Sequence, residues 1–287
     1  MQMKLIEGLF ETDAMKVSAY DRPFWYTSGK LGPFYINTHY LYGSEKLAVN
    51  LLSIIDELYE DVKELHNRLY EAIMENYKKD KIFQNVIDSM ITYIDKNIDI
   101  EQIDYISGGA RRDWFFSIPV ADKLGKKHVT IFKDMSMVIF EKGEISDVSD
   151  LNQAKVLHIA DLITEATSYE RAWIPAIKSI NGTITDSLVV VDRQQGGKEK
   201  IEGYNIKSHS LCSIDKEFFT KAFEIGCITS EQCDMVKGYL QNPDAAMTKF
   251  IAEHPEFLKD ELEGADKKSA ERARLCIEKG FYKSKNM

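Results

Sequence analysis

The stretch VLHIADLITEATSYERA, residues 156–172, reads as a strand, a tight turn and the start of a helix. Val156 to Ile159 lean apolar, as a strand buried on both faces requires, and the run ends at Ala160-Asp161. Thr164, Thr167 and Ser168 follow, and then a helical pattern. A helix N-terminus attracts anions because its first N–H groups lack partners and carry the positive end of the dipole. Glycine usually supplies the unusual backbone angles and close approach that such a turn needs, yet Glu165 and Ala166 stand there. Two readings stay open: an altered phosphate site, and a strand–helix turn kept as scaffold.

Around this stretch the same texture recurs from Asp104 to Leu211. Short apolar runs, DYIS, HVTIFK, VLHIAD, SLVVVD and NIKSHSL, alternate with helical segments. Strands separated by helices predict βαβ units, an α/β fold and a parallel sheet with right-handed crossovers. Before it, AYDRPFWYTSGKLGPFYINTHYLYGSEK mixes aromatics with turn formers and predicts a small strand and loop region. From Ser44 to about Asn97 apolar residues recur at helical spacing, with a break near NYKKDKIF. The strongly charged stretch near 60–80 is expected as a solvated helical appendage. Beyond Ile214 the chain reads as helical, with cap signals at Ser213, Asp215, Thr229 and Ser230. The tail with Lys279, Lys283 and Lys285 is expected to be solvated.

Composition narrows the function classes. With 44% hydrophobic and 29% charged residues over 287, and no bilayer-length apolar run, the chain reads as globular and cytoplasmic, without a membrane partner. Cys212, Cys227, Cys233 and Cys276 show no CxxC spacing, which favours idle thiols in a reducing compartment over a metal site. A net charge of −9 opposes nonspecific nucleic-acid binding. An anionic ligand would need local cations, and these occur at strand ends, where an open parallel sheet binds ligands. DYIS runs into GGARRDW with Arg111 and Arg112; HVTIF into Lys133-Asp134; VLHIA into Asp161 and the Thr164–Ser168 turn; LVVVD into Arg193 and Gly196-Gly197. Ser28-Gly29-Lys30 adds an early cation in a segment poor in regular structure. His39, His128, His158 and His209 lie in β-prone runs and read as structural. Trp114, Phe115 and Phe116 are expected mostly in the core, and Phe24-Trp25-Tyr26 in the core or on a dimer surface.

Four segments in order, YTSGKLGPFYINT, SGGARRDWFFSIPVADKLGKK, VLHIADLITEATS and VVVDRQQGG, make the chain similar to the type I phosphoribosyltransferases, most of all orotate phosphoribosyltransferase. The resemblance covers about Leu5 to Leu211. It implies a phosphoribosyltransferase α/β domain over 1–213, with helices on both faces of the sheet and a small N-terminal hood region, and a helical extension over 214–287. It implies transfer of phosphoribosyl from phosphoribosyl pyrophosphate (PRPP) to a pyrimidine base, orotate foremost, with Mg²⁺ as cofactor and a homodimer as the assembly. Catalytic roles fall to Asp161, Lys133, Arg111 and Arg112. Thr164, Glu165, Ala166, Thr167, Ser168 and Lys30 are implied in binding PRPP, and Arg193, Phe34 and Tyr35 in binding the base; no protein metal ligand is implied. Three departures stand out. Ala160 replaces an acid, Glu165 and Ala166 replace small residues, and MSMVIFEKGEISDVSD has apolar residues, with Lys142 its only cation, where the family carries a cationic mobile loop. That segment reads as a hairpin turning at EKGE. Two further functions therefore stay open: a regulatory protein that binds PRPP or a nucleotide without turnover, and an enzyme acting on another anion.

Overall fold

The computed structural model describes residues 2–141 and 143–282, and its chain divides into two compact units. The first is Met1–Ala14 with Asn37–Ile214, and the second is Met15–Ile36 with Asp215–Met287. Lys142, Lys283 and Lys285 lie outside the described residues.

The first unit opens with four helices: α1 (Gln2–Glu11), α2 (Glu45–Glu57), α3 (Val62–Lys79) and α4 (Lys81–Asn97). Next come β1 (Tyr105–Gly109), α5 (Trp114–Lys123), β2 (Lys127–Ile131), β3 (Met137–Glu141) and β4 (Glu144–Asp147). It closes with β5 (Lys155–Ile163), α6 (Ile174–Ser179), β6 (Thr183–Asp192), α7 (Gly197–Glu202) and β7 (Lys207–Ser213). Seven strands form one sheet in the order β7-β6-β5-β1-β2-β3-β4. The five from β7 to β2 are mutually parallel, and β3 and β4 add antiparallel at one edge. The α/β class expected from the alternating texture is therefore present. Val156, Leu157, Ile159 and Leu188 to Val191 are all buried, as strands covered on both faces must be. Because β1, β2, β5 and β6 run parallel, their carboxyl ends and the loops that follow share one edge of the sheet. The hairpin read from MVIFEKGEIS is also present, with Glu141 opposite Glu144.

The charged helix is not a solvated appendage. On α3, Leu65, His66, Leu69 and Ile73 are buried, and the helix packs on α4 and α5. Spacings of three and four place these residues on one stripe, so the charges occupy only the outer face. The break at Asp80 falls where NYKKDKIF placed it: Asp80 ends α3 and caps α4 by accepting from the Phe83 N–H at 2.8 Å.

The second unit holds two short antiparallel ribbons, pairing residues 15–17 with 34–36 and 24–25 with 31–32. Five helices follow: α8 (Lys216–Glu224), α9 (Ser230–Gln241), α10 (Pro243–Glu253), α11 (Phe257–Glu263) and α12 (Lys267–Glu278). Asp215 caps α8, and Thr229 forms a capping box with Gln232 at α9. Trp25 and Leu31 share a core with Met247, Phe250, Ala273 and Cys276. The Trp25 ring stacks on Phe257 at 5.9 Å, and its indole N–H donates to Glu261 at 2.7 Å. No helix among the described residues is long and apolar enough to cross a membrane.

Candidate functional site

The carboxyl edge of the sheet opens into a cavity of ≈ 530 Å³. It is lined by Ala110 to Asp113 after β1, Lys133 after β2, and Ala160 to Tyr169 at the end of β5. Nine of the residues singled out in the sequence meet here: Arg111, Arg112, Lys133, Asp161, Thr164, Glu165, Ala166, Thr167 and Ser168.

The turn after β5 keeps a glycine-like geometry without glycine. Ala166 has φ of +53° and is buried, while Glu165, Thr167 and Ser168 are exposed. The helical backbone begins directly after it, and the Glu170 N–H donates to the Ala166 carbonyl at 3.2 Å. Two glycines elsewhere let other chain segments close on this loop. A Cβ on Gly197 would lie 2.5 Å from the Thr164 carbonyl oxygen, and one on Gly109 would lie 2.3 Å from the Trp173 ring. Neither position has room for a side chain.

The cations differ in their restraint. Arg111 is ion-paired with Asp56 in the last turn of α2. Lys133 donates its backbone N–H to the Tyr59 hydroxyl at 2.9 Å, and its ammonium lies 5.7 Å from the centre of that ring. Arg112 acts at longer range: its charge opposes the rise of the Asp161 pKa and adds to the fall of the His39 pKa.

Asp161 and Asp113 form the acidic floor. Both are buried. The Asp161 N–H donates to Asp113 Oδ1 at 3.0 Å, and the Gly109 N–H donates to Asp113 Oδ2 at 3.1 Å. Burial pushes the Asp161 carboxyl up to about 6, against the pull of the Arg112 charge. Burial, and then the Asp161 charge, push Asp113 well above the usual carboxylate range. His158 Nε2 lies 3.8 Å from Asp113, and burial pushes that imidazole down to about 3, so it is neutral. Asp113 escaped the sequence reading although it directly follows Arg111-Arg112 at a strand end. Asp56, Tyr59 and Trp173 escaped it too, because only the tertiary fold brings Trp173 to the cavity, Asp56 to Arg111 and Tyr59 to Lys133.

Four other singled-out residues are placed elsewhere. The Arg193 N–H donates to the Ile163 carbonyl at 3.0 Å, which ties the end of β6 to the end of β5. Its Nε is buried without a hydrogen-bond partner, while Asp192 is engaged by Gln194 at 2.8 and 2.7 Å. Lys30, Phe34 and Tyr35 belong to the second unit. Lys30 pairs with Asp244 at 2.8 Å. Phe34 is enclosed between Phe219 and Tyr239, at 5.3 and 5.9 Å, so its ring is occupied in that unit's core. Tyr35 is 42% exposed beside Phe24. Of the histidines read as structural, His39, His128 and His158 are buried, and His209 bonds to Asp186 at 3.1 Å. Trp114, Phe115 and Phe116 are all fully buried.

No family model matches the sequence. The chain is 26% identical over 239 residues to the orotate phosphoribosyltransferase of Sulfurisphaera tokodaii, covering 83% of this chain and 97% of that one. A shorter match, 33% over 67 residues, is to orotate phosphoribosyltransferase of Saccharolobus solfataricus and spans 34% of that protein. Among solved structures, orotate phosphoribosyltransferase of Francisella tularensis superposes with a TM-score of 0.54 at 17% identity, over 82% of this chain and 96% of that one. The Aeropyrum pernix enzyme gives 0.50 at 17%, over 77% and 99%. Leishmania donovani UMP synthase gives 0.56 at 16%, over 83% of this chain and only 42% of the longer one. The chain thus has the fold of the type I phosphoribosyltransferases, and the two sequence relatives named above are both orotate phosphoribosyltransferases.

Proposed function

We propose that this chain is a phosphoribosyltransferase that joins the phosphoribosyl group of PRPP to a pyrimidine base, orotate foremost, and releases pyrophosphate. One observation carries the reading. Arg111, Arg112, Lys133, Asp161 and the hydroxyl-bearing turn Thr164–Ser168 line a single cavity at the carboxyl edge of a parallel sheet. The base is taken from the names of the matched relatives.

In the transfer, the bond from C1′ to the pyrophosphate oxygen breaks as the bond to the base nitrogen forms, and the proton of that nitrogen leaves. C1′ gains positive charge in the transition state while the leaving group gains negative charge. Preorganised cations act on that charge more strongly than solvent does, and a guanidinium matches a phosphate's oxygens in pairs. Arg111, Arg112 and Lys133 fill this role. Asp161 accepts from ligand hydroxyls. The turn offers its hydroxyls and backbone N–H groups to a terminal phosphate. Arg193, at the next strand end, is proposed for the base carboxylate.

A resident metal does not fit, since no trio of His, Cys, Asp or Glu among the described residues gathers to hold one. Mg²⁺ is instead proposed to arrive held by diphosphate oxygens and water, as is usual for this ion. A homodimer in a reducing cytoplasm belongs to the same proposal; none of the four cysteines forms a disulfide.

A second reading, PRPP binding without turnover, is favoured by the β3–β4 hairpin. Between Lys133 and Lys155 the sequence carries a single cation, Lys142, which lies outside the described residues. The binding common to both readings is tested by calorimetric titration with PRPP. The wild type should bind, and Arg112→Ala should weaken binding about tenfold or more, as for loss of a charged hydrogen bond. Unchanged affinity in that variant would remove the cavity from the account.

A further inference from the structure

Arg111 and Lys133 line the cavity from separate loops, and one short piece of chain reaches both. Asp56, in the last turn of α2, is ion-paired with Arg111 after β1. Tyr59, just beyond the end of that helix, accepts the Lys133 N–H after β2 at 2.9 Å. The link to Lys133 is more than one hydrogen bond. The Lys133 ammonium lies 5.7 Å from the centre of the Tyr59 ring, within the reach of a cation–π contact. Backbone and side chain of the same lysine are thus held by one residue.

Tyr59 is itself fixed. Its ring stacks on Trp114 at 6.5 Å and meets Phe132 edge-on at 5.5 Å, and Trp114 meets Phe132 at 5.3 Å. Trp114 is fully buried, and its indole N–H donates to the Gly108 carbonyl at 3.1 Å. Rings packed against one another in this way have little freedom to move. The turn that carries Lys133 is closed by its own bonds. The Phe132 N–H donates to the Ser136 carbonyl at 2.9 Å, and the Met135 N–H to the Phe132 carbonyl at 3.0 Å. Asp134 accepts from the N–H and the hydroxyl of Ser136, at 3.0 and 2.7 Å. That carboxylate is engaged within the turn, which leaves the exposed Lys133 side chain to the Tyr59 ring and the cavity.

We propose that Tyr59 is a positioning residue that holds Lys133 at the cavity in the ligand-free protein, so that its ammonium meets an anion without first being ordered. A lysine side chain is long and rotamer-rich, and fixing it only on binding would weaken affinity. Tyr59 places that ordering in the folded state instead. With Asp56 on Arg111, the end of α2 braces both cation-bearing loops. The ligand comes from the phosphoribosyl reading, on which this role rests, whereas the placement of Lys133 is a property of the free protein.

Two experiments keep these apart. In ¹H–¹³C NMR of the ligand-free protein, the Lys133 ε-methylene is assigned by its absence in K133M. Its signal should move in Y59L, which lacks the ring current, and stay within the wild-type position in Y59F, which keeps the ring. An unmoved signal in Y59L would overturn the proposal, whether or not PRPP binds. The second experiment is a double-mutant cycle on the PRPP dissociation constant. Y59L should weaken binding about tenfold and Y59F about threefold, the first losing both contacts and the second only the hydrogen bond. In a K133M background either change should alter affinity by less than about twofold, because the residue it positions is gone. A tyrosine that merely supports the fold would lower affinity equally in both backgrounds, and that result would overturn the proposal. If Y59L does not fold, Y59F and its cycle with K133M decide. If wild type does not bind PRPP, the phosphoribosyl reading fails and the ε-methylene spectra still decide the placement of Lys133.

Discussion

Ala166 holds φ of +53°, a region that costs an L-residue about 1–2 kcal/mol and costs glycine almost nothing. The turn therefore retains the geometry of a glycine loop although its sequence has lost the glycine. Residue identity alone gave no sign of this, since alanine in a helical context usually marks a helix. The spacing of Thr164, Thr167 and Ser168 after the strand did point to the cavity, which those residues line. Glu165 is the departure that bears on ligand binding rather than on the backbone. An exposed carboxylate a few ångströms from a phosphate opposes it by about 1 kcal/mol, a factor of roughly five. Glu165→Gln should accordingly tighten PRPP binding about fivefold at low salt. A titration showing weaker or unchanged binding would mean that the side chain points away from the bound phosphate. Asp113 was the hard residue to see. An aspartate before a helix usually reads as a cap, and here no side-chain cap hydrogen bond forms because its oxygens serve Gly109 and Asp161.

Strands and hairpins follow from periodicity, but what each helix packs against does not. The charge of α3 suggested solvent on all sides, whereas the stripe Leu65, Leu69, Ile73 meant burial. The stripe is the better guide, because charges on the outer face leave the inner face free to pack. His66 on that stripe also joins a buried chain of hydrogen bonds whose direction can be worked out. Its Nδ1 lies 2.7 Å from the Val62 carbonyl, which only accepts, so Nδ1 carries the proton. Its Nε2 then accepts from the Thr130 hydroxyl at 2.9 Å. Thr130 in turn accepts from His128 Nδ1, and His128 Nε2 accepts from the Ser117 hydroxyl, both at 2.9 Å. Helices α3 and α5 are thereby wired to β2, whose end carries Lys133. Thr130→Val keeps the shape but strands two ring nitrogens, and should cost about 2–4 kcal/mol of unfolding free energy in urea. A loss below about 0.5 kcal/mol would mean that the chain contributes no order to these elements.

At the scale of the molecule, composition set limits and the two-unit division could not be read from it. Met15–Ile36 lies between segments of the first unit in sequence but clusters with the helices after Asp215. Only long-range packing reveals this: Trp25 and Leu31 complete a core made by Met247, Phe250, Ala273 and Cys276. A chain ending at Ile214 should therefore expose Trp25 and bind a hydrophobic dye that the full chain does not. Equal dye binding by both would show that residues 15–36 bury their apolar surface without those helices. The acidic net charge of −9 frames the proposed function at this scale, since on that proposal the cavity has to collect an anion against it. Arg111, Arg112 and Lys133 line that cavity, while the segment between Lys133 and Lys155 adds one cation, Lys142. The test that reaches furthest is a ³¹P NMR time course of PRPP, Mg²⁺ and orotate with the full-length protein. The account predicts a pyrophosphate resonance that grows only when orotate is present. PRPP resonances that remain unshifted and unbroadened throughout, with no pyrophosphate formed, would contradict it.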